Sequence, residues 1–300
     1  MSEFLIIVKK DIREVWRTKR FLLYALIALA MVLFTYMILG IMQIVVNHAE
    51  FSGSAGLHAQ AMFAMTVDNA TGFFMTFMMA YFLIAVVIFT RNIISKEIAE
   101  NKWTLPLQAG IKPWKLILSK ILVYVSAILI AAIIAALLHL VLTVIFCRPE
   151  IHSAVTSEQD PRMALSPDGE PFVHIYNIGW AMAIGRMFTN FGHMIVGLLF
   201  ISVCTLTINA ITKKGWVAIL VPLLLIIVAP MPFAFINVGD YSLLYYTPFI
   251  FFNTVESGQT GGWLEYLISS FITIGIIIAL IVWAIRSGKV SGLKNKRSEE

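Results

Sequence analysis

The sequence predicts an all-α polytopic membrane protein. The prediction comprises six transmembrane helices, an N-terminal amphipathic interfacial helix, a cytoplasmic elbow, and an outer-side re-entrant or interfacial helix before the last span. Three observations lead there. Of the 300 residues, 59% belong to the apolar and aromatic set and only 13% are charged, against roughly a quarter charged in a soluble domain. Six stretches free of Asp, Glu, Lys and Arg reach about the 20 residues a helix needs to cross ~30 Å of hydrocarbon. The 22 basic residues also fall almost wholly on one side of that arrangement.

The elements follow in order along a single transmembrane domain, 1–300. Residues 1–20 read as a helix in which Phe4, Leu5, Val8, Ile12, Val15 and Trp16 recur every three to four positions. Lys9, Arg13, Arg17 and Arg20 lie elsewhere around the wheel. Such a helix suits the anionic cytoplasmic leaflet, and it can also serve as a lever against a cytoplasmic partner. The first span, 21–46, is too long for the ~7–15-residue core of a signal peptide, and Asp11 and Glu14 precede it. The second span is 72–90.

Residues 91–120 form the elbow, read as helix, bend, helix. Pro106 and Gly110 break its middle, and Pro113 suits the first position of a new helix on which Trp114, Ile117, Leu118, Ile121 and Leu122 share a face. That helix runs into the third span, 121–146. From 113 to 146 it measures roughly 50 Å at 1.5 Å per residue, so its lower end protrudes beyond the hydrocarbon. Trp103, Leu105, Leu107 and Trp114 are too apolar for a connection that touches neither protein nor lipid.

Residues 147–186 form an extracytoplasmic loop with Glu150, Glu158, Asp160, Asp168, Glu170 and four prolines. The polar insertion at 148–186 could cap an exit, dock an extracytoplasmic partner, or be a connecting loop with local structure. Asn69-Ala-Thr71 on the same side matches a glycosylation sequon. Spans four to six are 187–212, 216–236 and 266–285. A further run, 241–255, is shorter and contains Pro248, which fits a re-entrant or interfacial segment.

Six spans put both termini on one side. Nineteen basic residues lie there, in 1–20, in 91–120, at Lys213 and Lys214, and in the tail from Arg286. Only Arg148, Arg162 and Arg186 lie opposite, which makes the termini cytoplasmic in a multi-pass protein of the cell membrane. The net charge of +5 therefore reflects topology, and no nucleic-acid partner is expected.

The amphipathic first helix, the six spans and the elbow resemble the type-2 ABC (ATP-binding cassette) exporter permease family. Within the elbow the resemblance rests on Ile94-Ser-Lys-Glu97, Trp103-Thr-Leu105, Lys112-Pro-Trp-Lys115 and the lead into Lys120-Ile-Leu122. The proline-containing stretch Leu244-Tyr-Tyr-Thr-Pro-Phe before the last span is similar too. One departure is that Lys102-Trp103 stands where the family commonly has glycine before the elbow threonine. The resemblance implies an elbow that docks on a separate ATPase subunit through Glu97, Glu100, Trp103, Leu105, Lys112, Pro113 and Trp114. It also implies two permease subunits, alike or different, forming the pathway, with ATP and Mg carried by the ATPase and no cofactor on this chain.

The motifs of other chemistries are missing from the sequence. There is no G-x-x-x-x-G-K-[ST], H-E-x-x-H or G-x-S-x-G, and two cysteines make no disulfide framework. Neither a catalytic residue nor a metal site is expected. Polar residues at membrane depth are few: Gln43, His139, Asn190, His193 and Asn209. Each is expected to hydrogen-bond inside the bundle or face a water-filled cavity. His139 and His193 have no evident third ligand for a metal, and the lack of a deep acid argues against ion coupling. The rival reading is a motor-independent carrier, or an intramembrane enzyme using one of those histidines.

Overall fold

The computed structural model describes residues 3–17, 19–48, 54–90, 93–155, 172–238, 241–242, 247–248 and 263–290. Its helices are α1 (Glu3–Arg17), α2 (Lys19–His48), α3 (Ser54–Phe63), α4 (Val67–Thr90), α5 (Ile93–Ala99), α6 (Thr104–Gln108), α7 (Pro113–Phe146), α8 (Gly179–Thr212), α9 (Val217–Ile227), α10 (Pro230–Ala234) and α11 (Trp263–Val290). Two antiparallel pairs complete it: β1 (Glu150–Val155) with β2 (Phe172–Asn177), and β3 (Asn237–Val238) with β4 (Tyr241–Ser242).

Among the described residues, α2, α4, α7, α8 and α11 are long and apolar enough to cross a membrane. Large apolar side chains point outward from them, including Leu22 and Leu26 on α2, Leu137, Val141 and Ile145 on α7, and Phe271 and Ile278 on α11. Helices apolar around their whole circumference suit hydrocarbon as solvent. The protein is thus a helical, multi-pass membrane protein. α7 and α8 have 34 residues each, about 51 Å of helix, so both exceed the hydrocarbon thickness.

The expected fifth span, 216–236, differs. It is not one helix but α9, of 11 residues, followed by α10, of five. Pro222 lies inside α9 and Pro230 opens α10. A proline ring supplies no amide to the carbonyl four residues back, so the ladder stops before residue 230 and restarts with proline at a first-turn position, where the missing N–H costs nothing. At about 16 Å, α9 is half the length of a span. Of the re-entrant or interfacial helix expected at 241–255, Tyr241 and Ser242 are strand instead. Most of that segment lies outside the described residues, as do 156–171 of the extracytoplasmic loop. The rest of that loop pairs as β1 and β2, in register from Glu150 opposite Asn177 to Val155 opposite Phe172.

The chain divides into two compact units. One comprises Met1–Ile27, Met79–Ile133 and Met194–Glu300; the other comprises Ala28–Met78 and Ile134–His193. In the second, the β1–β2 hairpin packs on α3, and Arg148 joins the start of α4 by backbone hydrogen bonds to Met65 and Val67. The Asn69 amide donates to the carbonyls of Ala61 (2.8 Å) and Ala64 (3.0 Å). The nitrogen a glycan would occupy is therefore already engaged, against the sequon at that position.

In the first unit, Tyr24 stacks on Tyr81 and Phe89 with ring centroids 5.8 and 5.5 Å apart. Along α8, the hydroxyls of Ser202, Thr205 and Thr212 donate to carbonyls four residues back, which satisfies them inside an apolar environment.

Candidate functional site

The elbow is built from two short helices that end in the same way. After α5, Asn101 takes a left-handed conformation (φ 55°). Its amide donates to the Ile98 carbonyl and that of Lys102 to the Glu97 carbonyl. After α6, Gly110 does the same (φ 82°), with Gly110 donating to Leu107 and Ile111 to Pro106. Both are Schellman turns, which satisfy orphan carbonyls and reverse the chain. Pro106 does not break the elbow as expected: it sits in the first turn of α6, where proline is tolerated. Pro113 opens α7 as its spacing predicted.

Gly110 has open space where a Cβ would stand, so only its backbone conformation demands glycine. Gly110→Ala should therefore cost about 1–2 kcal/mol, read as a lowered thermal midpoint, while Asn101→Gly should leave that midpoint nearly unchanged.

The turn after α5 brings Trp103 back over Glu97, and its indole Nε1 donates to Glu97 Oε2 at 2.9 Å. The other carboxylate oxygen, Oε1, accepts a hydrogen bond from the Lys120 ammonium on the second turn of α7. Lys120 is 4% exposed and also reaches Asp11 Oδ1 on α1 at 2.8 Å and Glu14 Oε2 at 3.5 Å. Asp11 is 3% exposed, and its second oxygen accepts from Ser119 Oγ. Every oxygen of Asp11 and Glu97 thus has a donor, which is the condition for holding charge away from water. The acidic side chains of Asp11, Glu14 and Glu97 converge closely enough to chelate a cation, and the Lys120 ammonium occupies the place of one.

At its other end α5 is held by α8. The side-chain oxygen of Asn209 accepts the backbone amides of Ile94 and Ser95, both at 3.0 Å, and its Nδ2 donates to Ser95 Oγ at 3.2 Å. Asn209 is fully buried.

The predicted elbow residues therefore divide. Glu97 and Trp103 turn inward and tie the elbow to itself and to α7. Glu100 and Lys102 are exposed and pair with each other at 2.8 Å, with Lys96 3.5 Å from Glu100. The hydrogen bond from Lys102 lowers the pKa of Glu100 and raises that of Lys102. Lys112 is exposed, while Pro113 and Trp114 are half-buried. Leu105, in the first turn of α6, is 77% exposed.

α1 faces two ways. Ile7, Asp11 and Val15 pack inward; Leu5, Ile12 and Trp16 of the predicted stripe point outward. Glu3 pairs with Lys115 at 2.6 Å, and that bond lowers the Glu3 pKa. Sequence reasoning missed Asp11, Ser119 and Lys120. The one available signal was Asp11, an acid beside the apolar stripe of α1.

The remaining intramembrane polar residues lie in the second unit. His139 is fully buried, stacked on Phe74 (centroids 4.1 Å apart) and edge-on to Phe191. The Tyr36 hydroxyl meets its Nδ1 at 2.9 Å and also contacts Thr143 Oγ1. Gln43 lines a cavity of about 410 Å³ with Asn47, Gln60, Phe63 and His152. His152 is paired with Glu150 at 3.1 Å. Asn190 and His193 are half-buried. Cys147 is a buried free thiol whose pKa burial pushes up to about 12.

No protein-family model matches this chain, and no curated protein matches it. What it does is therefore read from the geometry.

Proposed function

We propose that this chain is the permease subunit of an ATP-driven ABC exporter, paired with a second permease subunit and driven by separate ATPase subunits that carry ATP and Mg. The observation that supports this reading is the elbow. Two short helices closed by Schellman turns hold Leu105 outward, while buried polar bonds fix the elbow to α1, α7 and α8. A surface loop needs neither an exposed apolar tip nor rigid internal attachment. A part that receives force from a partner and passes it to the spans needs both. Nucleotide-dependent states of the ATPase would hold the elbow differently and so bias the spans between inward-open and outward-open arrangements. The substrate class stays open in this reading, because apolar spans rich in Phe and Met supply area without directional specificity.

The direct test is purification of the tagged chain in mild detergent, with co-purifying proteins identified and assayed for ATP hydrolysis. A nucleotide-hydrolysing partner held in stoichiometric amount supports the reading; purification without one leaves the motor-independent carrier as the better account. Topology gives a second test. In a cysteine-free background, a cysteine at Asp168 should react with an impermeant thiol reagent added outside, and one at Lys102 should not. Labelling of Lys102 from outside would reverse the orientation and remove the elbow from the side where ATP is available.

A further inference from the structure

We infer that Asn209 is the positioning residue through which α8 holds the elbow, acting as the N-cap of α5 from another helix. The amides it accepts, Ile94 and Ser95, are the second and third helical residues of α5. These are the groups that an N-cap side chain ordinarily satisfies from the residue just before the helix. Here the acceptor comes from 114 and 115 positions further along the chain, at the last turn of α8. Ser95 closes the arrangement by accepting the second half of the carboxamide.

The two ends of α5 are thus tied to different long helices. Its start is held by Asn209 on α8, and Glu97, nearer its other end, by Lys120 on α7. An elbow held at one end could pivot about that end. Held at both, it must carry the ends of α7 and α8 with it. A carboxamide suits the task because it accepts with one atom and donates with another, fixing the orientation of α5 as well as its distance. This inference rests on the transport reading for its purpose, but the capping itself does not depend on any partner.

The experiment is amide hydrogen exchange, followed by mass spectrometry, on the full chain in lipid nanodiscs, resolved at Ile94 and Ser95. In Asn209→Ala these two amides should exchange at least about tenfold faster than in the unaltered chain, the equivalent of losing one N-cap. In Asn209→Asp protection should return, because a carboxylate still accepts from both amides and is favoured at a helix N-terminus. A role in apolar packing alone predicts no such rescue, because the charged aspartate would then disturb the buried position as the smaller alanine does. Unchanged exchange in Asn209→Ala overturns the inference. Should that variant not assemble, Asn209→Asp decides alone: exchange as slow as in the unaltered chain supports the cap, and faster exchange overturns it.

The purpose is read on the same variants in complex with the co-purified ATPase, using spin labels at Lys102 and Lys214. Their separation should stay narrow with and without nucleotide in the unaltered complex, broaden in Asn209→Ala, and narrow again in Asn209→Asp. Unaltered breadth in Asn209→Ala overturns the transmitting role. Absence of any ATPase counts against the transport reading and leaves the exchange result standing.

Discussion

Lys120→Met should lower the stability of the purified protein by about 3–5 kcal/mol, the loss typical of a buried ion pair with one partner removed. The thermal midpoint in detergent, followed by tryptophan fluorescence, would register this as a shift of many degrees or as loss of the monodisperse species. The reason is stoichiometric. One ammonium serves Asp11, Glu14 and Glu97, and removing it leaves the two buried carboxylates, Asp11 and Glu97, in a place with almost no water. Adding Glu97→Gln to Lys120→Met should recover part of the loss, since one orphaned charge is then gone, and the double variant would show strong non-additivity. Lys115→Met is the control. Its partner Glu3 is 60% exposed, and water screens such a pair so that its loss changes stability little. A Lys120→Met midpoint no lower than that of Lys115→Met would mean that the cluster does not hold the elbow.

Leu105→Asp should have the largest effect on the association proposed here, at little cost to the chain itself. Its side chain is mostly exposed in the isolated chain, so a charge there disturbs no packing, yet it would have to be buried unpaired in an apolar pocket of the ATPase. The few residues that dominate an interface each contribute about 2 kcal/mol or more, about thirtyfold in affinity, and a buried unpaired charge at such a place costs at least as much. Co-purification should therefore be lost while the thermal midpoint holds. Lys112→Ala, at an exposed position, should change binding little. Trp103→Ala should lower both midpoint and binding, because its indole holds Glu97. Retention of the ATPase by Leu105→Asp would show that α6 is not the docking element.

The contrast between Leu105 and Trp103 illustrates what was legible in the sequence. Length, apolar runs and punctuation by Pro113 and Gly110 are local properties, and they located the long helices and the elbow. The break between α9 and α10 was written in Pro230, but a window of apolar composition passes over that proline. The β1–β2 hairpin also left a trace in Phe172-Val-His-Ile-Tyr-Asn177, where β-branched and aromatic residues cluster.

The clamps were not legible, for a physical reason. A lysine just ahead of an apolar run looks like a topology signal, and an asparagine within a span announces a buried hydrogen bond without naming its partner. What makes Lys120 and Asn209 structural is the approach of Asp11, Glu97 and Ser95, which depends on how distant helices pack. The same applies to Trp103, whose inward turn follows from the left-handed Asn101.

The back-bonded hydroxyls of α8 bear on how that helix can travel. Ser202, Thr205 and Thr212 are satisfied within their own helix, so these bonds ride along when it shifts. Displacement past neighbouring helices then leaves those bonds intact, and what resists it is the interlocking of side chains. Packed helices repack in such steps of ~1–2 Å. In this respect α8 resembles a sliding bolt, with Asn209 as the handle fastened at its end.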